Sequence, residues 1–407
     1  MEAGGTRQAR PSNSWSNRPL ALGLALALQL AFLPQGHGED HVDYRYGYYR
    51  ENDDRIEVQT HAVLFDAALK EGLLSVKGEL VHDAVSGATP SGAAPAAKYN
   101  YNSVPQFGFQ VPILGNTKNT KVPLQHMSDE RKACSLEMPL SLGIHTIAPQ
   151  FSYSEESDYV STGAALNYTI ALNEKNTLVT AGWAHTWDRV NDDLGKKRDK
   201  RGDDFLIGVN QLLGPKTVLG VNFTYGEAHG YLNDPYRFIV AANDLQIDAN
   251  NPSGYTEQRP SDREKFIARI AVTHFFTPAN GSLEAAYRFY HDSFGIDAQL
   301  LELTWYQKLG KRVVLAPGFR YYYQTAANFY YDILPDSNHK PANYSSDYRL
   351  SELQSFTFGL NATVKATKWL SFDAGYRYYF MQGLDGVTSS SAYPTANVYT
   401  LGLRFIF

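Results

Sequence analysis

The sequence contains little of what a disulfide-rich, metal-clustered or nucleic-acid-binding protein needs. Cys134 is the only cysteine among 407 residues, so the chain forms no internal disulfide and no cysteine-based metal cluster. Charged residues make up 19% of the chain and the net charge is −5, which does not favour nucleic acid as a partner. No phosphate-binding loop or dinucleotide fingerprint follows a strand, and the sequence therefore predicts no nucleotide or other cofactor.

Long apolar runs are also scarce, and the one that exists lies near the N-terminus. Arg7, Arg10 and Arg18 precede an apolar stretch at 19–33, which is short for a membrane-spanning helix and has the length of a signal-peptide core. Gly36 and Gly38 then place small residues at the two positions that a signal peptidase reads. We therefore predict a signal peptide at 1–38 and a mature protein that begins near Glu39; an uncleaved membrane anchor is the alternative. No later segment could cross a membrane as a helix, so membrane residence would require strands.

The rest of the chain alternates with a period of two and is rich in aromatic residues, with 28 Tyr and 21 Phe. In segment 282–292 one face carries Leu283, Ala285, Tyr287 and Phe289, and the other carries Glu284, Ala286, Arg288 and Tyr290. Segments 216–227, 370–380 and 399–407 repeat this pattern. An apolar aromatic face opposite a small, polar or charged face is typical of a strand with lipid on one side and water on the other. A soluble β-sandwich, which also alternates, is the alternative.

The connections indicate an all-β fold, a transmembrane antiparallel up-and-down β-barrel formed by residues 39–407. Short turns alternate with longer or more polar segments, at 84–130, 189–202, 229–262, 325–347 and 382–395. This is how outer-membrane barrels distribute periplasmic turns and extracellular loops. Counting from first strands at 42–50 and 55–69 gives sixteen strands. The count falls to fourteen if 131–142, which contains Pro139, is not a strand. Within that segment Cys134, Leu136 and Met138 share a face that we expect to contact lipid.

The last strand carries an alternation that continues to the final residue. It resembles the C-terminal strand by which outer-membrane barrels are recognised for assembly, and its residues are Tyr399, Leu401, Leu403, Phe405 and Phe407. We expect the partners to include outer-membrane lipid and the barrel-assembly machinery, and we expect the protein to reside in the outer membrane.

Three short stretches carry a family resemblance: His-Asp-Ala-Val-Ser-Gly-Ala-Thr-Pro at 82–90, Phe-Ser-Tyr-Ser-Glu-Glu-Ser-Asp-Tyr-Val-Ser at 151–161, and Glu-Lys-Asn-Thr at 174–177. They resemble an uncharacterised bacterial family known as DUF3570, over about 42–407. The resemblance implies an outer-membrane protein and brings no established activity. The sequence itself indicates a tight turn that leaves the third strand, with a binding loop as the alternative, at Ser86, Gly87, Ala88, Thr89 and Pro90.

The predicted inner face holds more arginine than acid. Its charged residues are Arg269, Arg288, Arg320, Arg377 and Arg404, with Glu284, Glu302 and Asp373. Glu284 and Arg288 lie about 13 Å apart on one strand, too far for easy pairing. Folding the hairpins predicts that Asp373 lies beside Arg404 and that Glu302 lies diagonally near Arg320. These charges either stiffen the wall as paired ladders or create a field that sorts solutes, and the excess of arginine favours anions.

Other candidate sites have simpler interpretations. The acidic segment Glu155-Glu156-Ser157-Asp158 is either a solvated turn or a hard-cation site, and we predict no metal because it lacks the spacing of a dedicated calcium loop. His82-Asp83, His185 near Asp188, and His291-Asp292 are pairs that chance produces often, so we predict no enzyme.

Two functions remain open. The first is a porin-like channel selective for small solutes or anions. The second is a non-conducting barrel that holds a periplasmic or surface partner. Loops 84–130 and 229–262 decide between them, because loops folded inward constrict or plug a barrel and loops folded outward bind partners.

Overall fold

The computed structural model describes residues 40–92, 100–104, 109–113, 121–247 and 254–407, in which sixteen strands form a closed antiparallel barrel. Two separate two-stranded sheets lie between barrel strands, Asn100–Val104 with Phe109–Ile113 and Phe238–Val240 with Gly254–Thr256. The predicted signal peptide lies outside the described residues. No helix among the described residues is long and apolar enough to span a membrane. The strands are β1 His41–Glu51, β2 Glu57–Lys70, β3 Leu74–Pro90, β4 Leu124–Glu137 with Leu140–Leu142, β5 His145–Glu155, β6 Tyr159–Leu172, β7 Thr177–Asn191, β8 Lys197–Gly214, β9 Thr217–Gly230, β10 Asp262–Phe276, β11 Gly281–Asp292, β12 Asp297–Leu309, β13 Val313–Gln324, β14 Leu353–Lys365, β15 Leu370–Gly383 and β16 Thr395–Ile406.

The first and last strands close the sheet. β1 pairs with β2 on one side and with β16 on the other, where Val42 lies opposite Phe405 and Tyr48 opposite Tyr399. Every strand of the described barrel thus has two neighbours, and the barrel has no open edge of unpaired backbone groups. The count of sixteen and the all-β class are confirmed.

Segment 131–142 is a strand, β4, although Pro139 interrupts it. Before the break β4 pairs with both β3 and β5, and Leu140 resumes both pairings. The Ser75 amide donates to the Pro139 carbonyl across 3.1 Å, and the Met138 amide donates to Pro149 across 3.0 Å. The ladder therefore continues around the proline, which lacks only its own donor.

The two ends of the barrel differ. Both described termini and the turns of two to four residues lie at one end, the short-turn end. The other end, the long-loop end, carries 52–56, 156–158, 192–196, 293–296, 325–352 and 384–394, together with the described residues of the segments after β3 and β9, 91–92, 121–123, 231–247 and 254–261. The predicted loops 84–130 and 189–202 were too long. β3 continues to Pro90, β4 begins at Leu124, and β7 and β8 leave only 192–196 between them. Polar residues on both faces of these strand ends resemble loop composition.

The outer face of the barrel is apolar and aromatic. Large side chains at alternate positions are exposed there, for example Phe205, Leu401 and Phe405. The opposite face is the inner one, since loop residues pack against it, as described below. Tyr399, Leu401, Leu403, Phe405 and Phe407 share the outer parity of β16, and their role in assembly stays a prediction.

The interpretation of Ser86–Pro90 as a tight turn is wrong, because these residues form the end of β3. They pair with 124–128 of β4. Gly87 has a φ of 115°, and a Cβ built there would lie 2.2 Å from the Arg55 carbonyl oxygen. Glycine is therefore required by a close backbone approach within the sheet. Thr89 is buried at 3% exposure and faces the loops of the long-loop end.

Cys134 tests the orientation of β4. It shares the outer face with Leu136 and lies opposite Leu80 and Tyr153. We expect a membrane-impermeant maleimide to label Cys134 slowly in intact membranes and quickly after denaturation. In the matched variant Cys134→Ser/Ala133→Cys the thiol moves to the inner face, and we expect faster labelling of the folded protein. Faster labelling of the wild type than of this variant would contradict the assigned faces.

Candidate functional site in the lumen and at the long-loop end

Four arginines of the inner wall lie at one height in the barrel. Arg269, Arg288, Arg320 and Arg377 are each seven positions from the short-turn end of their strands, β10, β11, β13 and β15. Glu302 of β12 lies at the same height. Adjacent strands are about 4.8 Å apart, so these residues form a band across neighbouring strands. We call the four arginines the arginine arc.

The arc carries more positive charge than its glutamates neutralise. Arg320 Nε lies 3.7 Å from Glu302 Oε1, and Arg269 Nη2 lies 4.0 Å from Glu284 Oε1. Within the described part of the chain, Arg288 and Arg377 form no ion pair. Arg269 and Arg288 are directly opposite each other across β10 and β11. Like charges in that position destabilise a sheet, and an anion in the lumen would relieve the repulsion.

The opposite wall is uncharged at this height. Seven positions from the short-turn ends of β3, β5, β6, β7 and β9, the inner face carries Val81, Ser152, Ala165, Ala184 and Thr224. The middle of the lumen is therefore one-sided, with guanidinium groups on β10–β15 and small or uncharged side chains across from them.

Two of the predicted ion pairs require comment. Glu302 lies directly opposite Arg320, so the predicted proximity is confirmed, although the pair is not diagonal. Asp373 lies diagonal to Arg404 and not directly beside it as predicted, and the ion pair of Arg404 is formed with another acid. Asp373 lies opposite Gly402, and Arg404 binds Asp43 of β1, with Nη2–Oδ2 and Nε–Oδ1 distances of 2.6 and 2.7 Å. Arg404 therefore joins the strands that close the barrel.

At the long-loop end, loops from opposite sides of the barrel contact each other. Arg237, which follows β9, donates from Nη2 to Thr89 Oγ1 of β3 across 3.2 Å. Ser346, between β13 and β14, donates from Oγ to the Gly92 carbonyl beyond β3 across 2.7 Å. The strands concerned are far apart around the ring, so these loops cross the mouth. We call 231–247, 254–261, 325–352 and 384–394 the loop cap.

Apolar side chains of the cap pack inside the barrel. One buried cluster joins Phe329 and Leu350 of the cap to Phe294 of the turn between β11 and β12, and to Ala298, Tyr290 and Tyr322 of the strands. A second joins Tyr348, Ala392 and Tyr393 to Leu353 and Met381. The strand residues in both clusters have inner parity. The described loops therefore fold inward and narrow the long-loop end.

A charged cluster holds the cap together. It comprises three acids and three arginines, namely Asp234, Arg237, Glu257, Arg259, Asp347 and Arg349, which we call the ionic cluster. Arg349 donates from Nε to both carboxylate oxygens of Asp347 at 2.9 Å and also binds Asp234. Arg259 donates from Nη2 to Asp347 across 2.9 Å, and its Nε lies 2.6 Å from Glu257 Oε1. Asp347 and Arg237 are each 1% exposed. Equal numbers of opposite charges make such burial tolerable.

The ionic cluster shifts the pKa values of its acids in opposite directions. Burial alone would raise the pKa of Asp347, but Arg349 and Arg237 hold it well below its ordinary value. Burial raises the pKa of Glu257, and Arg259 offsets this effect only in part. Asp347 is thus the carboxylate that most firmly keeps its negative charge between the loop that follows β9 and the loop that follows β13.

Replacing Asp347 should release the cap without unfolding the barrel. Asp347→Asn leaves three arginines with two acids, and breaking a buried ion pair in this way costs about 3–5 kcal/mol. We expect faster tryptic cleavage within the cap, while the heat-modifiable mobility of the folded barrel is retained. The control is Asp336→Asn, the same change in the same loop at a carboxylate that binds only nearby Asn338 and His339. Equal cleavage of both variants would contradict the role of Asp347.

The acidic segment at 155–158 is not simply a solvated turn. Asp129, Glu156 and Asp158 each place a carboxylate oxygen within 4.8 Å of the others, a spacing that could hold a cation. Asp158 is 7% exposed and accepts a 2.5 Å hydrogen bond from the Tyr236 hydroxyl of the cap. The pKa of Glu156 is raised to about 7. Burial is the main cause, the charges of Asp158 and Asp129 add to it, and Arg131 acts in the opposite direction.

Glu156 should make this turn sensitive to pH. Its folded pKa is above that of an exposed glutamate, so the folded turn loses stability as pH rises from about 4.5 through 7. We expect amide exchange at 155–159, corrected for intrinsic rates, to show more frequent opening at pH 8 than at pH 5. Glu156→Gln should remove this difference, and Glu155→Gln, a change at the exposed neighbour, should not. A pH effect that persists in Glu156→Gln would contradict the assignment.

His185 and His291 each bind an aspartate, but not the one that the sequence suggested. Neighbours on a strand point to opposite faces. His185 binds Asp203, not Asp188, with Nδ1–Oδ1 at 2.8 Å, and His291 binds Asp297 at 2.7 Å. Asp292 faces inward and binds Arg263. Both histidines lie on the outer face, away from the lumen.

A closed antiparallel barrel with an apolar outer face and a polar inner face is a β-barrel of the outer-membrane type. The family model described as "Protein of unknown function (DUF3570)" matches residues 26–201 and 191–400, and the chain belongs to this family.

Solved structures show low similarity. The loop L8 deletion mutant of OmpT, an outer-membrane protein of Vibrio cholerae, is 10% identical with a TM-score of 0.42, over 91% of this chain and 98% of that one. CdiB from Acinetobacter baumannii is 8% identical with a TM-score of 0.47, and the match covers 91% of this chain and 61% of the CdiB chain. A bacterial polysaccharide outer membrane secretin is 8% identical with a TM-score of 0.45, over 92% of this chain and 100% of that one. No curated protein matches the sequence.

Proposed function

We propose that the protein is a porin-like pore of the outer membrane that is selective for small anionic solutes. The arginine arc carries the proposal. Four guanidinium groups lie at one height, and Arg288 and Arg377 lack an acidic partner among the described residues, so the arc holds positive charge that its ion pairs do not neutralise. Positive groups lining a pore attract anions and repel cations. No enzymatic step is part of the proposal.

The orientation follows from the two ends. Single-chain outer-membrane barrels place short turns and both termini in the periplasm and longer loops outside the cell. We therefore assign the short-turn end to the periplasm and the loop cap to the exterior. The cap would then act as the constriction, and the arc would lie between it and the periplasm.

A second function, a non-conducting barrel that holds a partner, is favoured by the cap itself. Its apolar clusters reach the inner wall, and its ionic cluster is electrically balanced. If the cap never opened, a solute could reach the arc only from the short-turn end and could not pass through the barrel.

Reversal potentials in planar bilayers separate these functions. We expect the purified protein to conduct with an anion preference, and Arg288→Glu/Arg377→Glu to lower the anion-to-cation permeability ratio several-fold. The control Arg189→Glu/Arg201→Glu makes the same charge change at exposed positions of outer parity on β7 and β8 and should leave the ratio unchanged.

Two outcomes would contradict the proposal. Silent bilayers with folded protein would favour the partner-holding barrel. Conductance whose selectivity is the same in wild type and in the arc variant would place the selective constriction in the loop cap.

A further inference from the structure

The short-turn end carries a second concentration of positive charge. Lys308, Lys311 and Arg312 lie at the turn between β12 and β13, and Lys365 and Lys368 lie at the turn between β14 and β15; all five are exposed. Segments 307–313 and 364–370 contain no acidic residue. The ion pairs of this sector, Arg269–Glu284 and Arg320–Glu302, include none of the five. We call these five residues the basic patch.

The two turns of the patch adjoin, since the Lys365 amide donates to the Arg312 carbonyl across 2.8 Å. Strands two apart in a sheet are separated by about 10 Å, comparable to the screening length of physiological salt, so the fields of the five charges add. Each of the other short turns has no charge, charges of both signs, or a single cation. Glu174 with Lys175 is an example of a turn with both signs, and Lys216 is an example of a single cation.

The patch faces the mouth of the lumen more than the lipid. Lys308 and Lys365 have inner parity, and Lys308 Nζ lies 5.6 Å from the ring centroid of Phe275 on the inner face of β10. The outer face of the same turns is apolar, with Leu309 and Trp369 exposed. An anion held by the patch would therefore lie at the opening of the barrel.

A largely neutral wall leads from the patch to the arginine arc. Between them, the inner faces of β12–β15 carry mainly small or neutral side chains, including Thr304, Ala316, Gly318, Asn361, Thr363 and Gly375. Asp373 is the acid on this wall. Its carboxylate packs over Gly402 of β16, at the edge of the wall that is formed by β12–β15. The distance from Lys308 to Glu302, six residues along β12, is about 20 Å.

We infer that the basic patch captures multivalent small anions, such as polycarboxylates or polyphosphates, at the periplasmic mouth. Delivery of the captured anion to the arginine arc rests on the proposed function, whereas capture itself does not. Several exposed cations must act together, because one exposed ion pair contributes little. An acidic segment of a periplasmic protein is the competing occupant. The inner parity of Lys308 and Lys365 and the continuous wall favour a solute.

A trisulfonated pyrene dye, which is a small trivalent anion, tests capture by folded protein in uncharged micelles. We expect Lys311→Gln/Arg312→Gln/Lys368→Gln to slow dye association about tenfold at low salt and to flatten its salt dependence. The control triple Lys70→Gln/Lys175→Gln/Lys216→Gln removes the same charge from other short turns and should retain most of the rate. Heat-modifiable mobility verifies folding of both variants.

Equal slowing by both triples would reduce the effect to net charge and overturn the inference, as would an unchanged rate in the patch triple. Displacement of the dye by polyglutamate at concentrations far below those of small polycarboxylates would assign the patch to an acidic protein and overturn it too. Patch-dependent dye binding with silent bilayers would contradict only the proposed function. Anion-selective current with patch-independent dye binding would contradict only capture.

Discussion

The pairing of β1 with β16 is the constraint on which the rest of the structure depends. A lipid environment offers no hydrogen-bond partners, so a sheet that crosses it must satisfy every backbone group within itself, and only closure does so. Closure gives each strand one face toward lipid and one toward the lumen. It also places residues from the two ends of the chain side by side, as in the contact between Asp43 and Arg404. The inner wall is thus assembled from local patterns and one long-range seam.

The division between local pattern and long-range contact explains what the sequence could predict. The alternation around Arg288 fixes its face, because a shift of one residue would place the whole strand the wrong way round. The proximity of Glu302 and Arg320 followed from one short hairpin. The partner of Arg404 did not, since it lies 361 residues away across the seam. Ser86–Pro90 resembled a turn because Gly and Pro are common in turns, whereas here Gly87 accommodates the backbone near Arg55. The cap was beyond sequence reasoning for the same reason, because Arg237 meets Thr89 only when two distant loops cross the mouth.

The ionic cluster and the arginine arc both consist of arginines and acids, but the two groups of charges differ in burial and in charge balance. In the cluster three arginines and three acids are buried together, and their equal numbers compensate for the loss of water. In the arc, Arg320 is 47% exposed and its partner Glu302 is 38% exposed, so water remains available to these groups. Neutralising the arc fully would have required two more acids at this height, where the opposite wall instead carries Ala165 and Ala184. The excess charge therefore has no structural explanation among the described contacts, and that is why function is assigned to it.

The three charged features differ along the barrel axis as well. The basic patch lies at the short-turn end, the arc at mid-height, and the balanced cluster at the long-loop end. None of the loops in the described residues crosses the short-turn end, whereas several cross the other. In the proposed orientation, an anion that approaches from the periplasm meets increasing confinement after an initial attraction, with the cap as the last barrier. An anion approaching from outside meets the barrier first and no excess of positive charge within the ionic cluster. With the cap in this conformation, exchange of solute between the arc and the periplasm needs no rearrangement of the described loops. Under the proposed function, passage across the whole barrel would require the contacts among Asp234, Asp347 and Arg349 to loosen, and the frequency of that loosening would set the rate.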